Sequence, residues 1–434
     1  MAIFKCRLLN ITVMQQVAIG YCHSGHTLTV CIKGDSMRVA IIGAGFSGML
    51  AAYLLEKKGI DVTIYEKEAV IGGHCRTLIS KDLYIELGTV FCFSEHIKEL
   101  LVELEVSYSE RFTYRNFVDE NYHKVEHLSH QEVASLLEEL SRLEKITNAY
   151  GNEVNSLNYG KIHDLMVPLS QFLNHHNLST ISKVIAPHLS SYGFGNIDEI
   201  QAFYAFEIFN LNTIYAFIKG DKLLFIDKGV SEIIHKLSQN ISDIRYSIEV
   251  KNIEPCNDKV KIETDYDEAF YDKVLVTTKL PKDVIKDAFY NELMKKIDTN
   301  PYITCAYEVE NKNIVTTYFK SNLGKKESIQ FFHTYKQKDK AILVAYAYGS
   351  INVPLINKIT EDIKKTGIHV KHLITAKQWY IFPHLKADNL TQDLYIDLAE
   401  RQQSSNICLI GSLVSKPALS NLYASIKDFI NYTF

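Results

Sequence analysis

Short apolar runs alternate with longer amphipathic stretches along the chain, and closely spaced glycines follow the first apolar run. Val39-Ala40-Ile41-Ile42 has the length of a buried parallel strand, and the stretch from Gly43 to Gly48 predicts a turn into a helix. A second apolar run, residues 62–65, ends at Glu66. This order of strand, glycine-rich turn, helix, strand and acid predicts a nucleotide-binding βαβ unit.

Each glycine of the turn has a separate steric role in such a unit. Gly43 permits the tight bend, Gly45 lets a pyrophosphate approach the backbone, and Gly48 lets the helix lie close to the strand. The N-terminus of the helix, at Phe46 and Ser47, then faces the phosphates with the positive end of its dipole. We therefore predict that these five residues bind a dinucleotide.

The acid at the end of the second strand fits the ribose of that ligand. Glu66 lies eighteen residues after Gly48, where a carboxylate can accept hydrogen bonds from both ribose hydroxyls, and Lys67 follows it. A glycine-rich turn without a ligand is the structural alternative. That alternative explains the glycines but not the strand, helix and acid in register, so we assign Glu66 and Lys67 to the binding site.

Helical patterns and short strands fill the rest of the chain. Apolar residues recur at three- and four-residue steps over about 94–106 and 131–150, which predicts scaffold and cap helices. Short strands are predicted at 245–250, 260–264 and 273–278, and residues 407–412 precede a last helix from about Leu419.

Composition and charge narrow the class of ligand and the compartment. The 434 residues, 47% of them hydrophobic, can bury a large core, and the length suggests two domains. A net charge of -4, with 47 basic residues spread among 51 acidic ones, predicts a small-molecule ligand and no nucleic-acid partner. The eight cysteines show no CxxC or Cys/His spacing, so we expect no metal site and predict reduced thiols in a cytoplasmic protein.

The segment before the first strand is a separate case. Residues 1–36 precede a second methionine, Met37, where that strand begins, and we expect this segment to be a dispensable or untranslated extension. Lys5 and Arg7 before two leucines resemble a signal peptide, but polar residues interrupt the apolar core that secretion requires. No run of about eighteen apolar residues is present, so we expect no transmembrane helix.

A second glycine motif bears on whether the dinucleotide cofactor contains a flavin or a nicotinamide. Residues 72–77, GGHCRT, followed by Glu86-Leu87-Gly88, resemble the second phosphate contact of the FAD-dependent amine oxidase superfamily. The resemblance implies FAD as cofactor, bound in part by Gly73 and Gly88. Members of that superfamily often carry arginine directly after the glycines, whereas here His74 takes that place and Arg76 comes two residues later. Either side chain could meet the phosphates.

The same resemblance implies a fold. It is an α/β fold, with a two-part Rossmann-like FAD-binding domain, an inserted α+β substrate domain and a helical cap. Val250 would contact the adenine through its backbone, and a plain buried strand residue is the alternative. The predicted boundaries are 1–36 for the extension, 37–100, 220–290 and 395–434 for the discontinuous FAD-binding domain, and 101–219 and 291–394 for the substrate and cap region.

Over most of residues 37–434 the chain resembles a narrower group, the flavin-dependent polyunsaturated fatty acid double-bond isomerases. This resemblance implies a free fatty acid as substrate and a hydride that leaves the methylene between two alkenes and returns to another carbon. Such a methylene is too weak an acid for a side-chain base, so the protein must fix the chain, supply aromatic faces and exclude water. The matching segments are Lys161-Ile162-His163, Leu165–Pro168, Phe172-Leu173, Tyr192–Gly195, Phe217–Asp221 and Gln378–His384.

Two residues carry the substrate role that this resemblance implies. Arg115 matches the arginine that anchors the substrate carboxylate, and a guanidinium can bind a carboxylate as a bidentate fork. Phe217 matches the aromatic residue beside the flavin and the reacting carbons, which makes it the predicted catalytic residue. A surface arginine on a hairpin and ordinary core packing of Phe217 are the alternatives.

An aromatic segment near the end of the substrate region is also implicated. The resemblance places Trp379 and Tyr380 near the flavin, where both would bind substrate, although burial for packing explains them about as well. His163 and His384 could be read as acid/base groups. Hydride transfer needs no such group, so we treat both histidines as structural.

The last cofactor segment departs from the superfamily pattern. An acid that binds a ribityl hydroxyl usually follows the glycine, whereas here Ser412 follows Gly411. A serine hydroxyl can still form one hydrogen bond, at a loss of about 1 kcal/mol. The next helix lacks the usual glycine near Asn421 and Leu422, where backbone N–H groups would face the flavin. Gly411, Ser412 and Leu422 complete the predicted FAD site, and weakened flavin retention stays open.

Three functions therefore remain in competition. The first is an FAD-dependent fatty acid isomerase, and the second is an FAD-dependent oxidase or desaturase acting on an amine or another lipid. The third is a nucleotide- or lipid-binding protein without turnover, which the departure at Ser412 motivates. The sequence leaves the oligomeric state and the double-bond positions open.

Overall fold

The computed structural model describes residues 36–80, 83–90, 92, 95–150, 163–209, 211–220, 222–310, 313–337, 340–390, 394–414 and 418–434. The predicted extension, apart from Ser36, lies outside these residues, and so do Lys161, Ile162 and Asp221 of the segments that resemble the isomerases. The expected role of residues 1–36 stays a prediction.

Helices and strands alternate through the described residues in the mixed α/β arrangement that was predicted. The helices are α1 (Phe46–Lys57), α2 (Glu95–Glu103), α3 (His130–Ala149), α4 (Leu169–His175), α5 (Ser179–Ser191), α6 (Ala202–Ile208), α7 (Leu211–Lys219), α8 (Ser231–Ser238), α9 (Ala288–Lys296), α10 (Val353–Lys365), α11 (Leu394–Ser404) and α12 (Leu419–Thr433). The strands are β1 (Arg38–Ile42), β2 (Asp61–Tyr65), β3 (Thr77–Ser80), β4 (Leu83–Glu86), β5 (Tyr108–Arg111), β6 (Arg115–Val118), β7 (Lys124–Val125), β8 (Leu223–Ile226), β9 (Asp243–Arg245), β10 (Val250–Cys256), β11 (Lys259–Thr264), β12 (Glu268–Tyr271), β13 (Lys273–Val276), β14 (Ile297–Val309), β15 (Thr316–Phe319), β16 (Ile329–Gln337), β17 (Lys340–Tyr348), β18 (Val370–Leu385) and β19 (Ile407–Leu409).

A five-stranded parallel sheet forms the nucleotide-binding half of the structure. Its strand order is β19-β13-β1-β2-β9, so strands from distant parts of the sequence lie side by side. The central strand β1 is buried from Val39 to Ile42, as expected for a parallel strand covered on both faces. The carboxyl ends of β1 and β2 meet at one edge, where the glycine-rich turn and Glu66 lie.

The predicted strand at 245–250 is interrupted. The chain turns between β9 and β10, and Ser247 adopts a positive φ of 54°. The reason is a pair of long-range backbone hydrogen bonds, because Ser247 N–H donates to Glu68 O at 3.1 Å and Ile248 N–H donates to Glu66 O at 2.9 Å. This turn packs the chain against the end of β2.

A seven-stranded sheet, ordered β18-β14-β17-β16-β15-β6-β7, forms the other half. Side chains alternate between its two faces. One face packs against α10 in a mainly aliphatic cluster, to which the sheet contributes Leu343 and the helix contributes Ile359 and Ile363. The other face carries an aromatic cluster with Tyr302, Phe331, Tyr346 and Trp379 among its members. This second face contains Trp379, one of the residues predicted to bind substrate.

Helix α5 is fixed to its surroundings at both ends by side chains of other elements. At its N-terminus the buried carboxylate of Glu139, on α3, accepts hydrogen bonds from Thr180 N–H at 2.8 Å and Ile181 N–H at 2.9 Å. At its C-terminus the Tyr348 hydroxyl donates to Ser190 O at 2.6 Å. These bonds satisfy backbone groups that a helix leaves unpaired at its ends.

We expect Glu139→Ala to lower the free energy of unfolding by about 2 kcal/mol, because the first N–H groups of α5 would be left buried without an acceptor. Urea denaturation is the measurement. Glu138→Ala, at the exposed neighbouring position, is the matched control and should change stability by less than about 0.5 kcal/mol. Equal effects of the two substitutions would show that the carboxylate does not cap the helix.

Candidate active site

The turn after β1 contains two positions, Gly43 and Gly48, where no side chain fits. Gly43 has a φ of +102°, and a Cβ there would lie 2.7 Å from Thr277 Oγ1. A Cβ on Gly48 would lie 2.0 Å from the carbonyl oxygen of Gly43. Both contacts are shorter than van der Waals packing allows, so the strand–helix joint itself requires these two glycines.

The two glycine motifs of the sequence meet in space. Gly72 N–H donates to Ala44 O at 2.8 Å, and a Cβ on Gly73 would lie 3.2 Å from Gly45 Cα. Gly45 is different, because its φ is -73° and the nearest heavy atom to a Cβ there is 3.9 Å away. The protein therefore has room for a side chain at Gly45 and carries none.

The N-terminus of α1 is suited to an anion. Gly45 is its N-cap and supplies no side-chain cap, and the first turn contains no acid. Its unpaired N–H groups and dipole therefore point toward the glycine cradle. Phe46 and Ser47 are 5% and 7% exposed, so only their backbone can face a ligand.

Glu66 is held rigidly at the end of β2. Its Oε2 accepts from Ala44 N–H at 2.8 Å and its Oε1 accepts from Glu68 N–H at 2.8 Å. A carboxylate offers about four lone-pair sites, so acceptor capacity remains for ribose hydroxyls. Lys67 is exposed beside it, and Val250 is a buried residue that begins β10 just after the turn bonded to Glu66.

His74 and Arg76 differ in their electrostatic character. Desolvation by the surrounding protein lowers the pKa of His74 to about 4, although part of the residue is exposed, so its imidazole is neutral at pH 7. The Arg76 Nε is buried and has no hydrogen-bond partner. Of the two, only Arg76 offers both a charge and an unsatisfied donor.

The residues around Gly88 connect the second glycine loop to Trp379. A Cβ on Gly88 would lie 2.0 Å from His74 O. The preceding Leu87 carbonyl accepts from Trp379 Nε1 at 2.9 Å, and the Trp379 ring lies edge-on to His74 at 5.3 Å. The buried Glu86 next to them accepts from Thr77 Oγ1 at 2.7 Å, and burial raises its pKa to about 8.

The last predicted cofactor segment lies against the start of α1. Gly411 has a φ of +71°, and a Cβ there would lie 2.4 Å from Ser47 Oγ. Ser412 is partly exposed beside it. Leu422 does not offer the free backbone group expected of it, because its N–H donates to Ala418 O at 2.9 Å and its side chain is 5% exposed in the core.

Arg115 and Phe217 are in contact at the opening between β6 and α7. The Arg115 Cζ lies 5.0 Å from the centroid of the Phe217 ring, a distance typical of a cation–π contact. Arg115 Nε is buried without a hydrogen-bond partner. Among the described residues its guanidinium has no carboxylate within ion-pair distance, and it is half-buried.

An aromatic shell that the sequence did not single out surrounds this contact. His188 on α5 stacks on Phe217 at 4.3 Å and lies edge-on to Tyr318 at 5.4 Å. The hydroxyls of Tyr192 and Tyr318 lie 3.2 Å apart. Burial, aided by the charge of Arg115, lowers the pKa of His188 well below its usual range, so this histidine is neutral.

Trp379 and Tyr380 point to opposite faces of β18. Trp379 is 7% exposed and belongs to the aromatic cluster, whereas Tyr380 is 63% exposed. The structure therefore brings Trp379 to the wall of the cleft but not Tyr380, because adjacent residues of a strand alternate in direction. His384 stacks on Phe382 at 4.7 Å and burial lowers its pKa, while the side chain of His163 is outside the described residues.

The described part of the chain holds neither a metal-binding cluster nor a membrane-spanning helix. No group of His, Cys, Asp and Glu side chains there has an arrangement that could hold a metal ion. None of the helices described combines the length and the apolar character that crossing a membrane requires.

These features define an FAD-binding protein of mixed α/β fold. The chain belongs to the family of flavin-containing amine oxidoreductases, whose family model matches residues 46–367, more than half of the chain. The predicted superfamily, fold class and FAD cofactor are thereby confirmed.

Solved structures and curated relatives agree with this family. The CLA-producing fatty acid isomerase from P. acnes has a similar fold, with a TM-score of 0.84 at 21% identity over 92% of this chain and 99% of that one. Cyclohexylamine oxidase from Brevibacterium oxydans matches with a TM-score of 0.69 at 12% identity over 92% and 99%. The L-amino-acid oxidase of Crotalus adamanteus is 36% identical over 75 residues, which span 17% of this chain and only 14% of that protein.

The substitution Gly45→Ala tests the cofactor site without disturbing the fold. The protein has space for the methyl group, so we expect the variant to fold, but the methyl would occupy the approach of the pyrophosphate and lower FAD affinity at least about tenfold. Flavin fluorescence titration and the thermal midpoint of the apoprotein are the measurements. Gly48→Ala is the contrasting variant and should impair folding itself. Normal folding with unchanged FAD affinity in Gly45→Ala would contradict the predicted cradle.

Proposed function

We propose that the protein is an FAD-dependent isomerase that moves a double bond in a free polyunsaturated fatty acid. The observation that carries the proposal is Arg115, which is half-buried, lacks a carboxylate partner among the described residues and lies over Phe217. A partly desolvated guanidinium without a counter-ion is costly. An anionic ligand would relieve that cost.

The carboxylate of a fatty acid meets this requirement. Its two oxygens can accept from the guanidinium as a fork, which sets both the position and the direction of the acyl chain. The chain would then run along Phe217 toward the aromatic face of the seven-stranded sheet, where Trp379 and Tyr346 lie. Such a cleft is apolar along its length and polar at one end, as a fatty acid is.

The neutral shell around Phe217 suits a cationic reaction path. FAD, when bound, supplies the acceptor and donor of a hydride. The aromatic faces of Phe217 and its neighbours favour the positive charge that hydride removal leaves on the acyl chain. Neutral His188 adds no opposing charge, and the substrate carboxylate offsets that of Arg115. No side chain is required to move a proton.

We further propose which residues hold the cofactor. The pyrophosphate would lie between Gly45 and Gly73 at the N-terminus of α1, with Arg76 rather than His74 as its cationic partner, and Glu66 would bind the ribose. The predicted segments 37–100, 220–290 and 395–434 remain our proposal for the FAD-binding domain. The five parallel strands, which come from all three segments, support it.

Anaerobic reaction of the FAD-loaded protein with linoleic acid tests the proposal. We expect a new conjugated-diene absorbance in a product of unchanged mass, because the hydride is returned and no electrons leave the system. Product separation by mass and ultraviolet absorbance is the measurement. Oxygen consumption with peroxide release in air would instead support an oxidase of the same family, and flavin that no lipid or amine reduces would support a binding protein.

Arg115→Ala tests the anchor separately. We expect the catalytic efficiency on free linoleic acid to fall by about 10- to 100-fold, because a charge-assisted hydrogen bond is lost. Wild-type protein should prefer the free acid to its methyl ester, and the variant should not. Arg142→Ala, an exposed arginine on α3, is the matched control. An unchanged KM for the free acid in Arg115→Ala would exclude the anchor role.

A further inference from the structure

The segments that follow β5 and precede β8 lie close to the contact between Arg115 and Phe217. Arg111, at the end of β5, pairs with Leu223 at the start of β8. Just beyond that pair the Lys222 Nζ lies 5.2 Å from the centroid of the Phe112 ring. The segment from Phe112 to Arg115 therefore runs alongside the end of α7 and its connection to β8.

Large aromatic side chains of the segment after β5 point outward. Phe112 is 58% exposed and Tyr114 is 76% exposed, whereas Thr113 and Arg115 between and after them are partly buried. Because of this alternation, the Arg115 side chain points inward, whereas the rings of Phe112 and Tyr114 point into solvent. Exposed rings of this size beside a binding cleft are characteristic of an interaction surface.

The charge around these rings is basic. Lys219 and Lys222 are exposed at the end of α7 and the start of β8. Of the nearby acids, Glu110 forms an ion pair with Lys98 and Asp227 lies 3.7 Å from Arg111. Asp221 lies between the two lysines in the sequence, so residues 219–222 carry two positive charges and one negative charge. The net charge of residues 219–222 is therefore positive, whereas the net charge of the whole chain is -4.

We infer that an aromatic rim, defined as Phe112, Tyr114, Lys219 and Lys222, docks the protein on an anionic lipid surface. Amphipathic rings favour the headgroup region of a bilayer, and lysines beside them are attracted to anionic lipids. Together the four residues form a small patch with the composition of an interfacial lipid-binding surface. A lipid chain leaving the surface would enter the cleft directly beside Arg115.

The inference does not depend on the proposed reaction. It rests on the exposure and charge of the rim, whereas the proposed function rests on the guanidinium inside the cleft. Arg115→Ala should therefore weaken turnover of a free fatty acid without abolishing attachment to lipid. Each idea can fail while the other holds.

The test is flotation of the purified FAD-loaded protein with vesicles of phosphatidylcholine and phosphatidylglycerol. We expect the full chain to float with these vesicles at low salt and to be released as salt rises, because the attraction of the lysines is screened. The double variant Phe112→Ser/Tyr114→Ser should reduce the vesicle-bound fraction at least about tenfold, since two rings would no longer be buried in the interface.

A matched control removes two equally exposed rings from elsewhere on the protein. Tyr266 and Tyr432 are 77% and 83% exposed, and Tyr266→Ser/Tyr432→Ser should leave vesicle binding unchanged. Thermal midpoints of both double variants should match the parent protein, because exposed side chains contribute little to the core. Failure of the parent protein to bind the vesicles would overturn the inference. So would binding that survives the loss of Phe112 and Tyr114.

Discussion

Close backbone contact at glycines holds the cofactor half of this structure together. The first turn packs on itself at Gly43 and Gly48, the second glycine loop approaches it at Gly73, and the last segment reaches it at Gly411. A Cβ would clash at Gly43, Gly48 and Gly411 and would be tightly packed at Gly73, and these contacts bring segments from distant parts of the sequence to one end of α1. The helix dipole and the free N–H groups of α1 lie at that end. The close packing at these glycines therefore determines both the local fold and the position of the candidate anion site.

The second half of the structure depends on a different constraint, the division of one sheet into two chemical faces. Aliphatic residues pack under α10, and aromatic residues line the opposite side. Trp379 joins the halves, since its indole N–H donates to Leu87 O next to Gly88 while its ring packs on the aromatic face. The aromatic face is thus positioned relative to the glycine loop by two buried hydrogen bonds to the Leu87 carbonyl, one from Trp379 Nε1 and one from Thr304 Oγ1 at 2.8 Å.

Local patterns predicted the glycine-rich turn and the position of Glu66, but not the packing around Arg115 and Phe217 or the paired N–H of Leu422. The glycine spacing and Glu66 could be predicted because strand, turn and acid are contiguous in the sequence. The turn after β9 could not, since long-range bonds to Glu66 and Glu68 create it. His188 gave no signal because its stacking on Phe217 arises from the packing of two helices. The opposite directions of Trp379 and Tyr380 could have been derived from strand alternation alone.

The electrostatics of the cleft bear on which chemistry of the family this chain can support. An amine substrate binds as a cation or must lose its proton, and Arg115 beside Phe217 would disfavour the charged form at close range. Neutral His74 and His188 offer no compensating negative charge. A fatty acid reverses the sign of the interaction, because its carboxylate gains from the same guanidinium that would repel an ammonium group. The charge on one half-buried side chain therefore supports the proposed acidic lipid substrate over an amine.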